Sequence, residues 1–221
     1  MRQPETLRER LAAVRERIAS AAKSVGRNPE EVSLIAVTKT VAPERILEAY
    51  EAGQRVFGES RVQEAAPKIA GLPPDIEWHF IGKLQSNKVR KAAGLFRVIH
   101  TLESSSQLKE FEKLAAPVDA LIEVNLAHES QKSGVPPESL DEFWELASQC
   151  KGVRVRGLMT IGPNLGDPEA MRSFFRELRR LGDRFGCEWL SMGMSADFDV
   201  AIQEGATHVR VGSALFGERP G

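Results

Sequence analysis

One amine stands out among the residues able to do chemistry. Lys39 follows the apolar run Ser33-Leu34-Ile35-Ala36-Val37 by a single intervening residue. A lysine fixed at the end of a buried strand is partly desolvated. That lowers its pKa from the ordinary value of about 10.4 and makes the neutral, nucleophilic amine accessible. A lone lysine in such a place is more often a solvated strand cap, but two turns near the other end of the chain change the reading. Ser191-Met192-Gly193-Met194-Ser195 leads into a helix expected to begin near Ala196. Ser195 is read as its N-cap, and Gly193 as the point where backbone lets a ligand come close. Arg210-Val211-Gly212-Ser213-Ala214 then offers a second turn with bare amides and a hydroxyl. Free N–H groups in such turns, and at helix starts, bind anions.

Other reactive side chains are less suggestive. His79, His100, His128 and His208 form no i, i+3 or i, i+4 pair, which argues against a metal site. His79 lies inside the strand pattern Trp78-His79-Phe80, where a packed histidine is the default and a ligand contact the minority reading. Gln85-Ser86-Asn87-Lys88 reads as a solvated helix start. Cys150 and Cys187 are expected at the rim away from the site, as structural free thiols.

The elements that must position these groups alternate along the chain. Strand patterns fall at 33–38, 54–58, 76–81, 97–101, 118–125, 153–159, 187–192 and 208–211. Helical patterns fill Pro43 to Ala52, Ser60 to Ile69, Leu84 to Ala93, Ser104 to Leu114, Pro137 to Gln149, Pro168 to Leu181 and Ala196 to Glu204. An amphipathic N-terminal helix carries Leu7, Leu11, Val14, Ile18 and Val25, and Gly26-Arg27-Asn28-Pro29 ends it. Eight strands alternating with helices predict an α/β fold, a (β/α)8 TIM-type barrel with an extra N-terminal helix. It is read as one domain over residues 1–221. An open doubly wound sheet competes, but the Gly-rich fingerprint it wants after the first strand is replaced by Thr38-Lys39-Thr40. In a barrel the site lies at the strand C-termini, here Lys39, Glu59, Gly82, Thr101, Asn125, Thr160, Ser191 and Arg210. Phosphate often binds to the loops after strands seven and eight, which hold the two turns above.

Composition sets outer bounds. The 221 residues are 42% hydrophobic and 28% charged, with a formal net charge of −1. No overall basic field recruits nucleic acid or anionic lipid. No apolar run approaches the roughly 20 residues needed to span a bilayer. The charged N-terminus lacks a signal-peptide core, so a cytoplasmic protein is expected.

Taken in order, the motifs resemble the pyridoxal phosphate homeostasis protein family, relatives of the barrel domain of alanine racemase (the fold-type III barrel). The matching segments are Leu34 to Thr40, Phe57-Gly58-Glu59 with Val62-Gln63-Glu64, Trp78 to Gly82, Leu84 to Lys88, Gly157 to Thr160, Ser191 to Ser195 and Arg210 to Ser213. Together they cover essentially the whole chain from Leu7 to Gly217. The resemblance implies pyridoxal 5′-phosphate as cofactor, held by Lys39 as a Schiff base. It also implies phosphate binding by Ser195, Gly212 and Ser213, with Arg210 facing the pyridine nitrogen. Met194, in the strand-seven turn, and His79 complete the cofactor-contact set.

Where many members have Asn after Phe-Gly-Glu, this chain has Ser60, which leaves that contact in doubt; Lys83 is assigned no role. The implied function is cofactor carriage and buffering in vitamin B6 homeostasis, without substantial turnover. The implied partners are apo pyridoxal phosphate enzymes engaged transiently by a monomer. The alternative is a racemase-like enzyme. That chemistry wants a second acid/base, typically a tyrosine, and the one tyrosine, Tyr50, lies in the helix after strand one. A third reading, an unrelated phosphometabolite enzyme, rests on fold analogy alone. The polar stretch Ala127 to Gly134 is expected to form a lip over the site, with Lys132 as a candidate for assisting release.

Overall fold

The computed structural model describes residues 6–127, 133–163 and 165–217. His128 and Lys132, with most of the expected lip, lie outside the described residues. Eight parallel strands close on themselves in sequence order: β1 (Ser33–Val37), β2 (Val56–Glu59), β3 (Glu77–Phe80), β4 (Val98–Leu102), β5 (Val118–Glu123), β6 (Val153–Met159), β7 (Trp189–Ser191) and β8 (His208–Val211). The barrel expectation is borne out. Around it lie the helices α1 (Leu7–Ser24), α2 (Pro43–Glu51), α3 (Val62–Ala70), α4 (Val89–Ala93), α5 (Ser105–Phe111), α6 (Leu140–Gln149), α7 (Arg172–Phe185), α8 (Phe198–Gln203) and α9 (Ser213–Phe216).

Helix α1 starts at a capping box, Thr6 with Glu9, and buries Leu7, Leu11, Val14 and Ile18. Burial of those four side chains contributes about 6–12 kcal/mol before entropy is counted. Val25 departs from expectation: it is the C-cap residue, 45% exposed, because the helix has already ended at Ser24. Helix α1 packs against α2, α8 and α9. The helix after β8 is a single turn, too short to cover its strand. The N-terminal helix therefore fills the ring position that α9 leaves open.

Strand alternation divides the barrel into two apolar regions. Leu34, Ala36, Phe57, Trp78, Phe80, Ile99, Ile122, Leu158, Leu190, Met192, Val209 and Val211 join the large core shared with the helices. Val98, Leu121 and Met159, with Trp189 against them, form a small separate cluster of the other parity. Positions of that second parity face the barrel interior, and they include the polar His79, His100, Ser191 and Arg210.

On the outer side of β1, Thr38 is tied to its neighbours. Its hydroxyl donates to Glu59 Oε1 at 2.8 Å, and Lys68 Nζ on α3 donates to Glu59 Oε1 and to the Thr38 carbonyl, each at 2.9 Å. Glu59 is fully buried, and its Oε2 has no hydrogen-bond partner. Removing one member of a buried pair leaves an uncompensated charge and costs far more than replacing both. Lys68→Met should therefore lower unfolding free energy in urea by about 3 kcal/mol, the low end of the range for buried pairs, since Lys68 is partly exposed. Adding Glu59→Gln should restore a substantial part of that loss; no recovery would show that the ion pair is not what holds this corner.

Candidate functional site

A cavity of about 740 Å3 opens at the C-terminal ends of the strands. Strand parity explains what lines it. On β1, Ile35 and Val37 face inward, so Lys39 two residues on does too, while Thr38 faces the helices. On β8, His208 and Arg210 face inward and Gly212 continues the series. Lys39, Met194, Ser195, Arg210, Gly212 and Ser213 all border this one cavity. Ser60 does as well. His79 does not: it is buried beneath, with Nε2 held by Glu77 Oε1 at 2.8 Å and Nδ1 by His100 Nε2 at 2.9 Å. Tyr50 lies at the far end of α2, where its hydroxyl donates to Asp75 at 2.7 Å.

The turn carrying Lys39 is strained. Thr40 has φ +64°, a left-handed conformation that a β-branched residue rarely takes. Its hydroxyl donates to the Lys39 carbonyl at 2.6 Å, and Val41 N–H closes the turn onto the Thr38 carbonyl at 2.9 Å. Such strain costs of order 1–3 kcal/mol and persists where surrounding structure enforces it. The Glu59–Lys68 clamp on Thr38, two residues earlier, is part of that surrounding structure.

The strand-seven turn differs from its sequence reading. Helix α8 begins at Phe198, with Asp197 rather than Ser195 at its N-cap position. Asp197 Oδ1 accepts the Met194 N–H at 2.6 Å, and the Met194 carbonyl accepts from Asp197 and Phe198 N–H, so a tight turn delays the helix by two residues. Ser195 is freed for another task. Its Oγ accepts from the N–H of Gly212 at 3.2 Å and of Ala214 at 3.3 Å, joining the two turns. The N–H groups of Ser195, Ala196 and Ser213 have no acceptor among the described residues, and all three residues border the cavity. Several amide donors thus converge on one side of the cavity, the chemistry that suits an anion.

Arg210 forms the floor. It is 5% exposed, with Nη1 donating to Ser191 Oγ at 2.6 Å and Nη2 to the Thr160 carbonyl at 2.9 Å. Burial pulls its pKa down to about 10, opposed by the nearby charges of Glu123 and Asp197, so it stays protonated at neutral pH. Burial, reinforced by Glu103, pushes the Glu123 carboxyl up to about 7. Lys83 is exposed but close enough to act electrostatically on Glu123. The histidines His79, His100 and His208 cluster inside the barrel, with ring centroids 5.0–6.1 Å apart. Sequence reasoning missed this grouping. Its available signal was parity: each histidine sits beside an outward-facing apolar residue, Trp78 and Phe80, Ile99, and Val209. Lys68 was missed too, although a lysine three residues after the buried Ala65 falls on the inner face of α3.

Elsewhere the chemistry is sparse. Both cysteines are free, and burial raises their pKa values, that of Cys187 to about 12, as inert structural thiols require. Among the described residues no cluster of His, Cys, Asp or Glu could hold a metal ion, and no helix is long and apolar enough to cross a membrane. A second cavity, about 330 Å3, lies at the opposite rim beside Arg15 and Gln54. There Arg15 is committed to Ala52 and Gly53 carbonyls and Gln54 Oε1.

Comparison with known proteins sets these features in context. Residues 10–220 match the family model described as alanine racemase, N-terminal domain. The chain is 47% identical to the pyridoxal phosphate homeostasis protein of Aquifex aeolicus, over 96% of this chain and 97% of that one. It is 39% identical to the protein of the same name from Escherichia coli K12, over 95% of each. Among solved structures, PipY of Synechococcus elongatus with pyridoxal phosphate bound superposes with a TM-score of 0.79 at 37% identity, over 96% of this chain and all of that one. Alanine racemase from Corynebacterium glutamicum shares the fold, with a TM-score of 0.69 at 17% identity over 96% of this chain and 62% of that one.

Two glycines in the turns separate structural need from ligand approach. Gly193 has φ +89°, and a Cβ there would lie 2.6 Å from Ala201 Cβ and 3.0 Å from Phe198 Cα. Gly212 has an ordinary φ of −116°, and a Cβ would meet Val37 at an unstrained 3.5 Å. Gly193→Ala should lower unfolding free energy by about 1–3 kcal/mol, whereas Gly212→Ala should stay within about 0.5 kcal/mol of the parent. Equal losses in urea melts would remove the case that Gly212 serves a ligand.

Proposed function

The chain belongs to the pyridoxal phosphate homeostasis protein family, and on that premise we propose that it binds pyridoxal 5′-phosphate at the C-terminal mouth of the barrel. It carries and buffers the cofactor in vitamin B6 homeostasis without substantial turnover. The observation that carries the reading is the convergence of three groups on one cavity: the Lys39 amine, the Arg210 guanidinium, and the amides of the turns after β7 and β8. These residues fit the group. Bound pyridoxal phosphate would supply an aldehyde and an electron-withdrawing ring.

In this reading the Lys39 amine takes the aldehyde, and Ser195, Gly212 and Ser213 hold the phosphate. Gly212, which the backbone does not require, leaves room for the phosphate to approach. Arg210 faces the pyridine nitrogen. A guanidinium can only donate, so it keeps that nitrogen unprotonated and weakens the electron sink that catalysis would use. Met194, 40% exposed, borders the opening. His79 acts beneath the site rather than in contact with the ligand. The Tyr50 hydroxyl is engaged with Asp75 away from the cavity, which favours a carrier over a racemase needing a second acid/base. We further propose that the protein works in the cytoplasm as a monomer that meets apo-enzymes transiently.

Incubation with pyridoxal phosphate, borohydride reduction and peptide mass spectrometry should place a pyridoxyl adduct on Lys39, absent in Lys39→Ala. An adduct only on another lysine would sink the assignment.

Ser195→Ala should weaken pyridoxal phosphate by about 1.5–3 kcal/mol, the worth of a hydrogen bond to a charged group, and leave unphosphorylated pyridoxal almost unaffected. Equal losses for the two ligands would exclude the phosphate role.

Turnover is checked by deuterium exchange at the α-carbon of alanine and serine with chiral analysis. Rates far below about 10 per second are expected; a rate near that value would favour the racemase.

A further inference from the structure

Beneath the proposed site a line of buried polar side chains runs through the barrel. Arg210 Nη1 donates to Ser191 Oγ at 2.6 Å, and Ser191 Oγ lies 2.9 Å from His100 Nδ1. His100 Nε2 lies 2.9 Å from His79 Nδ1, and His79 Nε2 lies 2.8 Å from Glu77 Oε1. Arg210, Ser191, His100 and His79 are at most 5% exposed. Glu77 is the first residue of β3, and its side chain is 46% exposed at the opposite mouth of the barrel.

With one proton on each ring, the direction of every bond in this line is fixed by the chemistry at its two ends. A guanidinium has no acceptor, and a carboxylate has no donor. Ser191 Oγ accepts from Arg210, which leaves its single proton for His100 Nδ1. His100, kept neutral chiefly by burial and further by the charge of Arg210, must carry its proton on Nε2 and give it to His79 Nδ1. His79 then carries its own proton on Nε2 and donates to Glu77. Reversing either ring would set the His79 Nε2 lone pair against the Glu77 carboxylate unless an extra proton entered. His208, from β8, packs against both rings, but its Nδ1 is bound by Thr207 Oγ1 at 2.9 Å, so it stands beside the line. Arg97 acts electrostatically on Glu77 at the lower end, and Glu123 and Asp197 act on Arg210 at the upper end.

We propose that Ser191, His100 and His79 are positioning residues for Arg210, forming a one-way hydrogen-bond relay that anchors its guanidinium to Glu77 on the far side of the barrel. The anchoring holds Nη1 away from the cavity and fixes which donors Arg210 presents upward. For its effect on pyridoxal phosphate the relay rests on the cofactor reading above; its own existence does not.

Imidazole-15N NMR of the protein alone tests the relay. Both His79 and His100 should carry a proton on Nε2 and a bare Nδ1, and a scalar coupling should cross from His100 Nε2–H to His79 Nδ1. A proton on Nδ1 of either ring, or no such coupling, would overturn the relay whatever the protein binds. Titration with pyridoxal phosphate then tests the positioning. Ser191→Ala should lose about tenfold in affinity, the worth of one hydrogen bond, and Ser191→Thr, which keeps the hydroxyl, should stay within about twofold of the parent. Affinity unchanged in Ser191→Ala would overturn the positioning role. Absence of binding to the parent would count against the cofactor reading and leave the NMR result to decide the relay.

Discussion

A full positive charge buried at the floor of a cavity is the constraint that shapes this barrel. Taking a guanidinium out of water costs several kcal/mol unless the protein supplies equivalent partners. For Arg210 those partners are the Ser191 hydroxyl, the Thr160 carbonyl and the more distant charges of Glu123 and Asp197. TIM barrels are usually filled by branched apolar side chains in layers. Here that filling includes Val98, Leu121 and Met159 with Trp189 and Ile35 on β1, while Ser191, His100 and His79, below Arg210, are polar. A half-satisfied buried network is worse than an apolar one, which is why the polar positions continue to Glu77, where solvent is reached.

The opposite face of the same sheet does a complementary job on β1. Because side chains alternate, Thr38 and Lys39 leave the strand in opposite directions. Thr38 is locked by Glu59 and Lys68 within the helix layer, and Lys39 enters the cavity. Rigidity applied to one residue is thus transmitted to its neighbour through a single peptide unit. The left-handed Thr40 closes the arrangement, in a turn tied back to Thr38 by the Val41 N–H.

The strands and most helices were legible because periodicity and turn residues are local signals. All eight strands lie within two residues of their expected bounds. Among the helix starts that moved, that of α8 has a visible cause in a hydrogen bond between residues three apart. Helix α3 starts at Val62 rather than Ser60, and α8 at Phe198 rather than Ala196, where Asp197 folds back on Met194. The short α9 was unread because four residues carry no period. At the site, Lys39, Ser195, Arg210 and Gly212 were legible as motif residues. Ser195 was given the wrong local task, because an N-cap and a cross-turn acceptor use the same hydroxyl. The histidine cluster was invisible to spacing: His79 and His208 are far apart in sequence, and only barrel closure brings β3 and β8 to one interior.

The geometry of the two anion-facing turns has a consequence for how firmly a ligand would be held. Gly212 and Ala214 already donate to Ser195 Oγ, so the turns are pinned in shape by the protein itself. Those bonds, at 3.2 and 3.3 Å, are longer than the usual 2.9–3.0 Å for N–H to O. A phosphate taking over these amides would exchange weak neutral bonds for stronger charge-assisted ones with little rearrangement. Leaving would return the Gly212 and Ala214 amides to Ser195, while those of Ser195, Ala196 and Ser213 find no acceptor among the described residues. On the proposed reading the turns are preorganised for entry, and two of their amides have an internal acceptor waiting when the ligand departs. A carrier needs both properties, since a ligand held only by bonds with no internal replacement would be slow to hand on.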